Sequence, residues 1–317
     1  MVKRIGVLTS GGDAPGMNAA IRAVVRSGID HGLEVYAIYN GYLGMYEGNI
    51  ERMYRKSVSD KLRLGGTFLG TARLPEFEEE EVRKVAIENL RHFDIDAVVC
   101  IGGNGTYMGA YALSQMGMPT VGIPGTIDND IVGSDYTIGF DTALNTAVEC
   151  VDKLRDTSSS HHRCSIVEVM GRNCGDLALW TAIATGAEYV ITKETGLDME
   201  ELLDNINKAA KTKNHAIIIV AEHMVDVNFL AQEVSTKTPF QARASVLGHI
   251  QRGGKPSARD RVMASEMGVK AVEALLDGES GVCVCIADEK YVTKPILEAL
   301  DGENNLKEKL KVFKSLW

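Results

Sequence analysis

Four stretches of this chain combine residue types and spacings suited to handling phosphate. Thr9-Ser10-Gly11-Gly12 follows a strand-like run and precedes a helical one. Successive glycines there let backbone N–H groups approach an anion at the favourable end of a helix dipole. A plain tight turn is the alternative reading, and the loop matches neither the dinucleotide fingerprint nor the Walker loop. Gly102-Gly103-Asn104-Gly105-Thr106 opens another helical pattern with three glycines in five positions, a second anion cradle. Pro124-Gly125-Thr126-Ile127-Asp128-Asn129-Asp130 carries two carboxylates two residues apart. One can accept a hydroxyl proton while the other takes a metal, water or structural hydrogen bond; an Asx-type turn is the bland alternative. The last set is cationic: Arg73, Arg163, Arg172, Arg243, His249 and Arg252, read as standing just beyond strand ends. Guanidinium forks bind phosphate oxygens in pairs, although any one arginine can be a solvated surface charge.

Positioning such loops requires strands that deliver their carboxyl ends to one side. Strand-length apolar runs fall at 4–8, 33–39, 97–101, 120–123, 165–169, 189–192, 216–220, 245–247 and 282–286. Helical periodicity marks a segment from about Asn18, with Ile21, Val24, Val25 and Ile29 on one face, and returns over 79–93, 142–154, 177–184 and 262–276. The alternation predicts an α/β fold with largely parallel sheets flanked by helices. No linker rich in proline or serine interrupts it, so two domains are expected to be docked three-layer units that share the chain in crossing segments.

The 317 residues carry a net charge of −9 and 45% hydrophobic residues. That balance excludes a generic nucleic-acid binder, which needs a basic surface. No apolar run approaches the ~20 residues of a membrane span, and no signal peptide is read before the first strand. The six cysteines form no CxxC pair and read as reduced structural thiols of a cytoplasmic protein. His161-His162 lacks a third ligand at metal spacing, so no zinc site is expected. Arg22 and Arg26 lie one helical turn apart, while Arg55, Arg155, Lys211 and Lys213 are scattered; spacing alone brings none of these together. Glycine cradles for one phosphorylated ligand and arginines for another fit phosphoryl transfer, with magnesium and one carboxylate accepting the hydroxyl proton.

At this point the sequence resembles the bacterial ATP-dependent 6-phosphofructokinases. The resemblance covers nearly the whole chain to about residue 285 and is carried by 5–18, 124–130 and 243–261, the last containing Gly248-His-Ile-Gln-Arg-Gly-Gly254. It implies transfer of the γ-phosphoryl of ATP to the 1-hydroxyl of fructose 6-phosphate in glycolysis, with Mg²⁺ as cofactor. Asp128 would be the general base, with Thr126 and Asp130 beside it. Gly12, Tyr42, Arg73 and Gly103, Asn104, Gly105 and Thr106 would hold ATP, and Arg73 with Arg172 would stabilise the transferring charge. Met170, Gly171 and Glu222 would contact the sugar, His249 and Arg252 its 6-phosphate. Arg163 and Arg243 would reach that phosphate from a neighbouring subunit of a homotetramer. Arg22, Arg26, Arg55, Arg155, Glu188, Lys211 and Lys213 would form an effector site for a nucleotide or phosphoenolpyruvate.

Two departures stand out. Asn104 replaces the usual aspartate of the magnesium site, which removes a full negative charge from a hard cation's surroundings. Asn214 stands where a second effector-site lysine is usual. Pyrophosphate-using relatives tend to carry Asp at the position of Gly105 and Lys at that of Gly125, so these glycines favour ATP. The resemblance divides the chain into an ATP domain, 1–138 plus 251–301, and a fructose 6-phosphate domain, 139–250 plus 302–317. Two rival readings remain: a pyrophosphate-dependent enzyme, or a weakly active regulatory subunit suggested by Asn104.

Overall fold

The computed structural model describes residues 2–302 and 306–316. In chain order the elements begin with β1 (Arg4–Thr9), α1 (Met17–Asp30), β2 (Glu34–Ile38), α2 (Gly41–Glu47) and β3 (Ile50–Met53). There follow α3 (Glu80–His92), β4 (Ala97–Gly102), α4 (Asn104–Gln115), β5 (Thr120–Thr126), β6 (Ile138–Gly139) and α5 (Phe140–His161). The middle of the chain supplies β7 (Arg163–Val169), α6 (Asp176–Thr185), β8 (Tyr189–Ile191), α7 (Met199–Ala209), β9 (Ala216–Ala221), α8 (Val227–Lys237) and β10 (Gln241–Val246). The last elements are α9 (Ala258–Leu276), β11 (Val282–Ala287), β12 (Lys290–Pro295), α10 (Ile296–Leu300) and α11 (Lys307–Ser315).

Two compact units result. The first comprises Met1–Ile127, Ile131–Thr142 and Arg252–Glu303; the second comprises Asp128–Asp130, Ala143–Gln251 and Asn304–Trp317. The main break therefore falls four residues after the one read from sequence, and the tripeptide at 128–130 leaves the first unit altogether.

In the first unit the sheet runs β12-β11-β5-β4-β1-β2-β3, with β6 added to β5. Only the edge strands β12 and β3 are antiparallel. β4 is buried at every position, as a parallel strand covered on both faces must be. Because strand side chains alternate, Leu8, Ile38, Cys100 and Cys283 face one side, where they meet Met45, Leu90, Tyr107 and Ile296. The opposite side takes α1 and α9: a Cβ on Gly28 of α1 would meet Val35 at 2.8 Å and Ile5 at 3.2 Å. Gly268 lets α9 approach α1 closely, since a Cβ there would lie 2.6 Å from that of Ala23 and 2.9 Å from the Ala20 carbonyl oxygen.

A distant carboxylate anchors the start of α5. Asp260 accepts from the backbone N–H groups of Gly139 and Thr142, both at 2.9 Å, and from the Thr142 hydroxyl. That hydroxyl in turn accepts from Ser257 N at 2.9 Å. Burial pushes the Asp260 carboxyl above its ordinary value, with the Thr142 hydroxyl and the two amides pulling it back.

The second unit has an all-parallel sheet in the order β10-β7-β9-β8. Ile166, Ile218 and Val220 face Leu202 and Ile206 of α7 and Leu230 and Val234 of α8. α6 packs against β8 and β9, and α11 packs on α6. Asp198 and Asp226 cap α7 and α8 by accepting from the first-turn amides. The segments read as helical from sequence leave out both helices, as well as α2, whose two glycines weaken its pattern.

Two strands differ from the sequence reading in ways that matter for the site. β5 continues through Pro124 to Thr126, because Gly102 and Pro124 remain in register with β4, so the acidic loop starts only at Ile127. β10 begins at Gln241 and not at 245, which puts Arg243 inside the strand. All six cysteines are free; burial pushes the Cys100 thiol up to about 12. Among the described residues no helix is long and apolar enough to cross a membrane.

Candidate active site

In the first unit the chain turns to opposite sides after β1 and β4, which lie side by side. Such a switch point leaves a crevice at the strands' carboxyl ends. Both glycine loops are there. Ser10 N donates to the Ile101 carbonyl at 3.0 Å, and the Thr106 hydroxyl donates to the Ser10 carbonyl at 3.0 Å. Thr71 binds the Gly11 carbonyl at 2.7 Å, tying in the 70–73 loop that exposes Arg73. α4 starts at Asn104 with Gly103 at its cap position, no side-chain cap and no acidic residue in its first turn. The first-turn amides, those of Asn104, Gly105 and Thr106, are thus suited to an anion. A Cβ on Gly105 would meet nothing within 4 Å, which leaves open space in front of this turn.

The structure gives Tyr42 another position. It is buried, stacked on Phe77 with centroids 4.2 Å apart, and its hydroxyl donates to the Thr106 carbonyl. It supports the cradle from behind, and burial holds its phenol protonated well above the ordinary range. Arg252 comes to the first cradle: its guanidinium lies 3.2–3.5 Å from where a Cβ of Gly12 would stand. Thr126 ends β5, its Cβ 3.7 Å from that of a side chain placed at Gly103.

The second unit holds the carboxylates. Asp128 and Asn129 are buried, and Asn129 takes a left-handed backbone at φ 52°. Burial raises the Asp130 carboxyl, and the Arg172 guanidinium pulls it down. Arg172 also has a left-handed backbone, φ 55°, and its N–H donates to Glu222 at 2.7 Å. Gly171 N reaches the same oxygen at 3.3 Å, and Met170 N donates to Gln251 at 3.3 Å. Met170, Gly171, Arg172 and Glu222 therefore gather where β7 and β9 end, with His249 exposed on the turn after β10.

Arg163 and Arg243 do not join them. Arg163 is the first residue of β7 and Arg243 lies near the start of β10, so neither stands beyond a strand end as the spacing suggested. At ~3.3 Å per residue, Arg163 and Met170 are about 20 Å apart along the strand.

The remaining basic residues divide between the units. In the first, burial lowers the Arg22 pKa, and the neighbouring Arg26 charge adds to it. Arg55 pairs with Asp30 at 2.7 Å. In the second, the fully buried Glu188 accepts from Lys213 Nζ at 2.8 Å and Ile217 N at 2.6 Å. Arg155 donates to His215 Nε2 at 3.0 Å and to the Thr185 carbonyl. Lys211 is exposed just after α7. His215 escaped the sequence reading, although its place two residues after Lys213 was a usable signal.

A His215 ring that accepts from a guanidinium must be neutral at Nε2. Burial, then Arg155, lower its pKa below 6.5, with Lys213 adding to the effect and Glu188 opposing it. The unfolded chain therefore binds this proton more readily, so the contribution is present above 6.5 and lost as pH falls through the lowered value. Thermal melts are expected to show a smaller acid-side loss below pH 6.5 in H215Q than in the parent; equal losses would count against it.

Among the described residues no group of three or more His, Cys, Asp or Glu could hold a metal ion. Magnesium needs only one or two protein oxygens when phosphates supply the rest. Asn104, at the amide-rich start of α4, can offer it a neutral carbonyl oxygen.

The glycine loops at the switch point of the first unit, and the carboxylate pair beside a guanidinium in the second, are parts that phosphoryl-transfer enzymes use. Comparison with known proteins narrows the class. The family profile described as Phosphofructokinase matches residues 4–275. The ATP-dependent 6-phosphofructokinase of Vibrio campbellii is 60% identical over 303 residues, 95% of each chain. That of Aliivibrio fischeri is 59% identical over 315 residues, 99% of this chain and 98% of its own. The phosphofructokinase structure from Saccharomyces cerevisiae superposes with a TM-score of 0.88 at 36% identity, covering 99% of this chain and 46% of the yeast chain. A pyrophosphate-dependent phosphofructokinase from Marinobacter aquaeolei shares the fold at 22% identity and TM-score 0.83, over 96% of this chain and 85% of that one. The chain belongs to the phosphofructokinase family.

Proposed function

We propose that this protein is a kinase that moves the γ-phosphoryl of ATP onto the 1-hydroxyl of fructose 6-phosphate, releasing ADP and fructose 1,6-bisphosphate in cytoplasmic glycolysis. The observation that carries this reading is the 60% identity across nearly the full length of an ATP-dependent 6-phosphofructokinase. The site chemistry agrees with it. The first unit, with Gly12, Arg73 and the amides of Gly103–Thr106, holds ATP. Asn104 would offer an oxygen to a magnesium ion brought by the nucleotide, which would spread the charge of its phosphates.

The second unit, with Met170, Gly171, Glu222 and His249, holds the sugar phosphate, aided by Arg252. Asp128 takes the proton of the 1-hydroxyl as its oxygen bonds to the γ-phosphorus, and the bridging oxygen leaves with ADP. Arg172 and Arg73 stabilise the charge on the transferring group, while Thr126 and Asp130 orient the acceptor. Arg163 and Arg243, remote from Met170 along the strands, serve the phosphate site of a neighbouring copy in a homotetramer. Arg22, Arg26, Arg55, Arg155, Glu188, Lys211 and Lys213 receive a nucleotide or phosphoenolpyruvate effector.

Purified protein given fructose 6-phosphate and MgATP is expected to release ADP, and pyrophosphate in place of ATP is expected to give no product. The open space at Gly105 favours the bulkier donor. Product from pyrophosphate would reassign the donor. Silence with both would support the regulatory reading that Asn104 suggests. In the same assay N104D is expected to reach half-maximal rate at lower magnesium, since a charged oxygen binds this cation better than a neutral one; an unchanged magnesium curve and kcat would mean the position is unimportant.

A further inference from the structure

Asp176, in the first turn of α6, is buried, and its carboxylate collects three donors. Asn129 Nδ2 donates at 2.9 Å, Trp180 Nε1 at 3.2 Å and Lys309 Nζ at 3.2 Å. Lys309 belongs to α11, and its ammonium also stands 4.7 Å from the centroid of the Trp180 ring. Buried carboxylates are as a rule paired with a cation and hydrogen-bonded, as this one is.

Asn129 is the residue between Asp128 and Asp130. Its left-handed backbone, φ 52°, is one that asparagine adopts more readily than most side-chain-bearing residues, and its side chain and carbonyl are both engaged by neighbours. The Asp176 bond supplies one hold, and a long contact from Cys174 Sγ to the Asn129 carbonyl, 3.8 Å, supplies another. The direction of the two flanking carboxyl groups follows from that backbone.

We infer that α11 is a positioning element for the proton-accepting loop, acting through the relay Lys309–Asp176–Asn129. Lys309 fixes the Asp176 carboxylate, Asp176 grips the Asn129 amide, and Asn129 aims the carboxylates on either side. The inference deepens the proposed reaction and rests on Asp128 as its base.

The test is steady-state kinetics on the full chain with MgATP and fructose 6-phosphate. Lys309 is partly exposed, its side chain at 36%, so K309M retains the aliphatic stem and is expected to fold, with a melting temperature close to the parent's. Its kcat is expected to fall about tenfold, as small displacements of reacting groups do. Both KM values should stay within about twofold, and the solvent deuterium isotope effect on kcat should rise as proton transfer becomes limiting. K309R should recover most of the rate. A merely structural lysine would move melting temperature or KM and leave the isotope effect alone. An unchanged kcat in K309M overturns the relay, as does a K309R as slow as K309M. D128N measured alongside separates the two readings: full activity there removes the general base, whereas the relay is judged on the lysine variants.

Discussion

Asparagine at position 128 is expected to lower kcat about 10²–10⁴-fold while leaving both KM values within a few-fold of the parent. The substitution keeps the shape of a buried side chain at 8% exposure and removes only its ability to accept a proton. Loss confined to kcat is the signature of an interaction made in the transition state and absent from substrate binding. The measurement is ADP release under saturating fructose 6-phosphate and MgATP, with binding checked by titration of each substrate. A variant that works at the parent rate removes Asp128 as base. Burial raises the neighbouring Asp130 carboxyl, and the Arg172 guanidinium draws it back down.

The second large effect is on stability. D260N is expected to destabilise the chain by about 2–4 kcal/mol, because an amide nitrogen replaces an acceptor that faces the Gly139 and Thr142 N–H groups. At a few degrees per kcal/mol in a chain of this size, the melting temperature should drop on the order of 5–10 °C. The pH dependence has a definite sign. Burial raises the Asp260 carboxyl, so the folded chain holds that proton more readily than the unfolded one. Stability from this source is present below 3.8 and lost as pH rises through the raised value. The gap between parent and D260N should therefore widen as the medium is acidified through that value, and a gap that closes in acid would contradict the assignment. Kinetics at saturating substrate should change little in the protein that remains folded.

Much of the frame was legible from residue order. The buried runs at β1, β4 and β9 are continuous and apolar, and the special residues directly after β1 and β4 pointed to the switch point. The helices α7 and α8 were missed although each carries an aspartate cap and α7 buries Leu202, Ile206 and Ala209 at helical spacing. Arg243 was displaced from its expected loop since β10 starts four residues earlier, drawn in by its pairing with β7 from Gln241 onward. Tyr42 shows the same limit at the site: its burial against Phe77 and its bond to Thr106 are long-range facts, invisible to local pattern.

Chain order alone determined the family, the alternation of strands and helices, and the positions of the two glycine cradles and the Asp128–Asp130 pair. Those features are local: they depend on neighbours in the chain, on glycine's freedom and on the period of apolar residues. Tertiary structure alone decided that Arg172 stands by Asp130, that Arg252 lies against Gly12, that His215 accepts from Arg155 and that Asp176 joins α11 to Asn129. Each of these is a contact between residues far apart in sequence. Hydrogen-bond satisfaction and charge pairing select such contacts only after the sheets have brought the loops together.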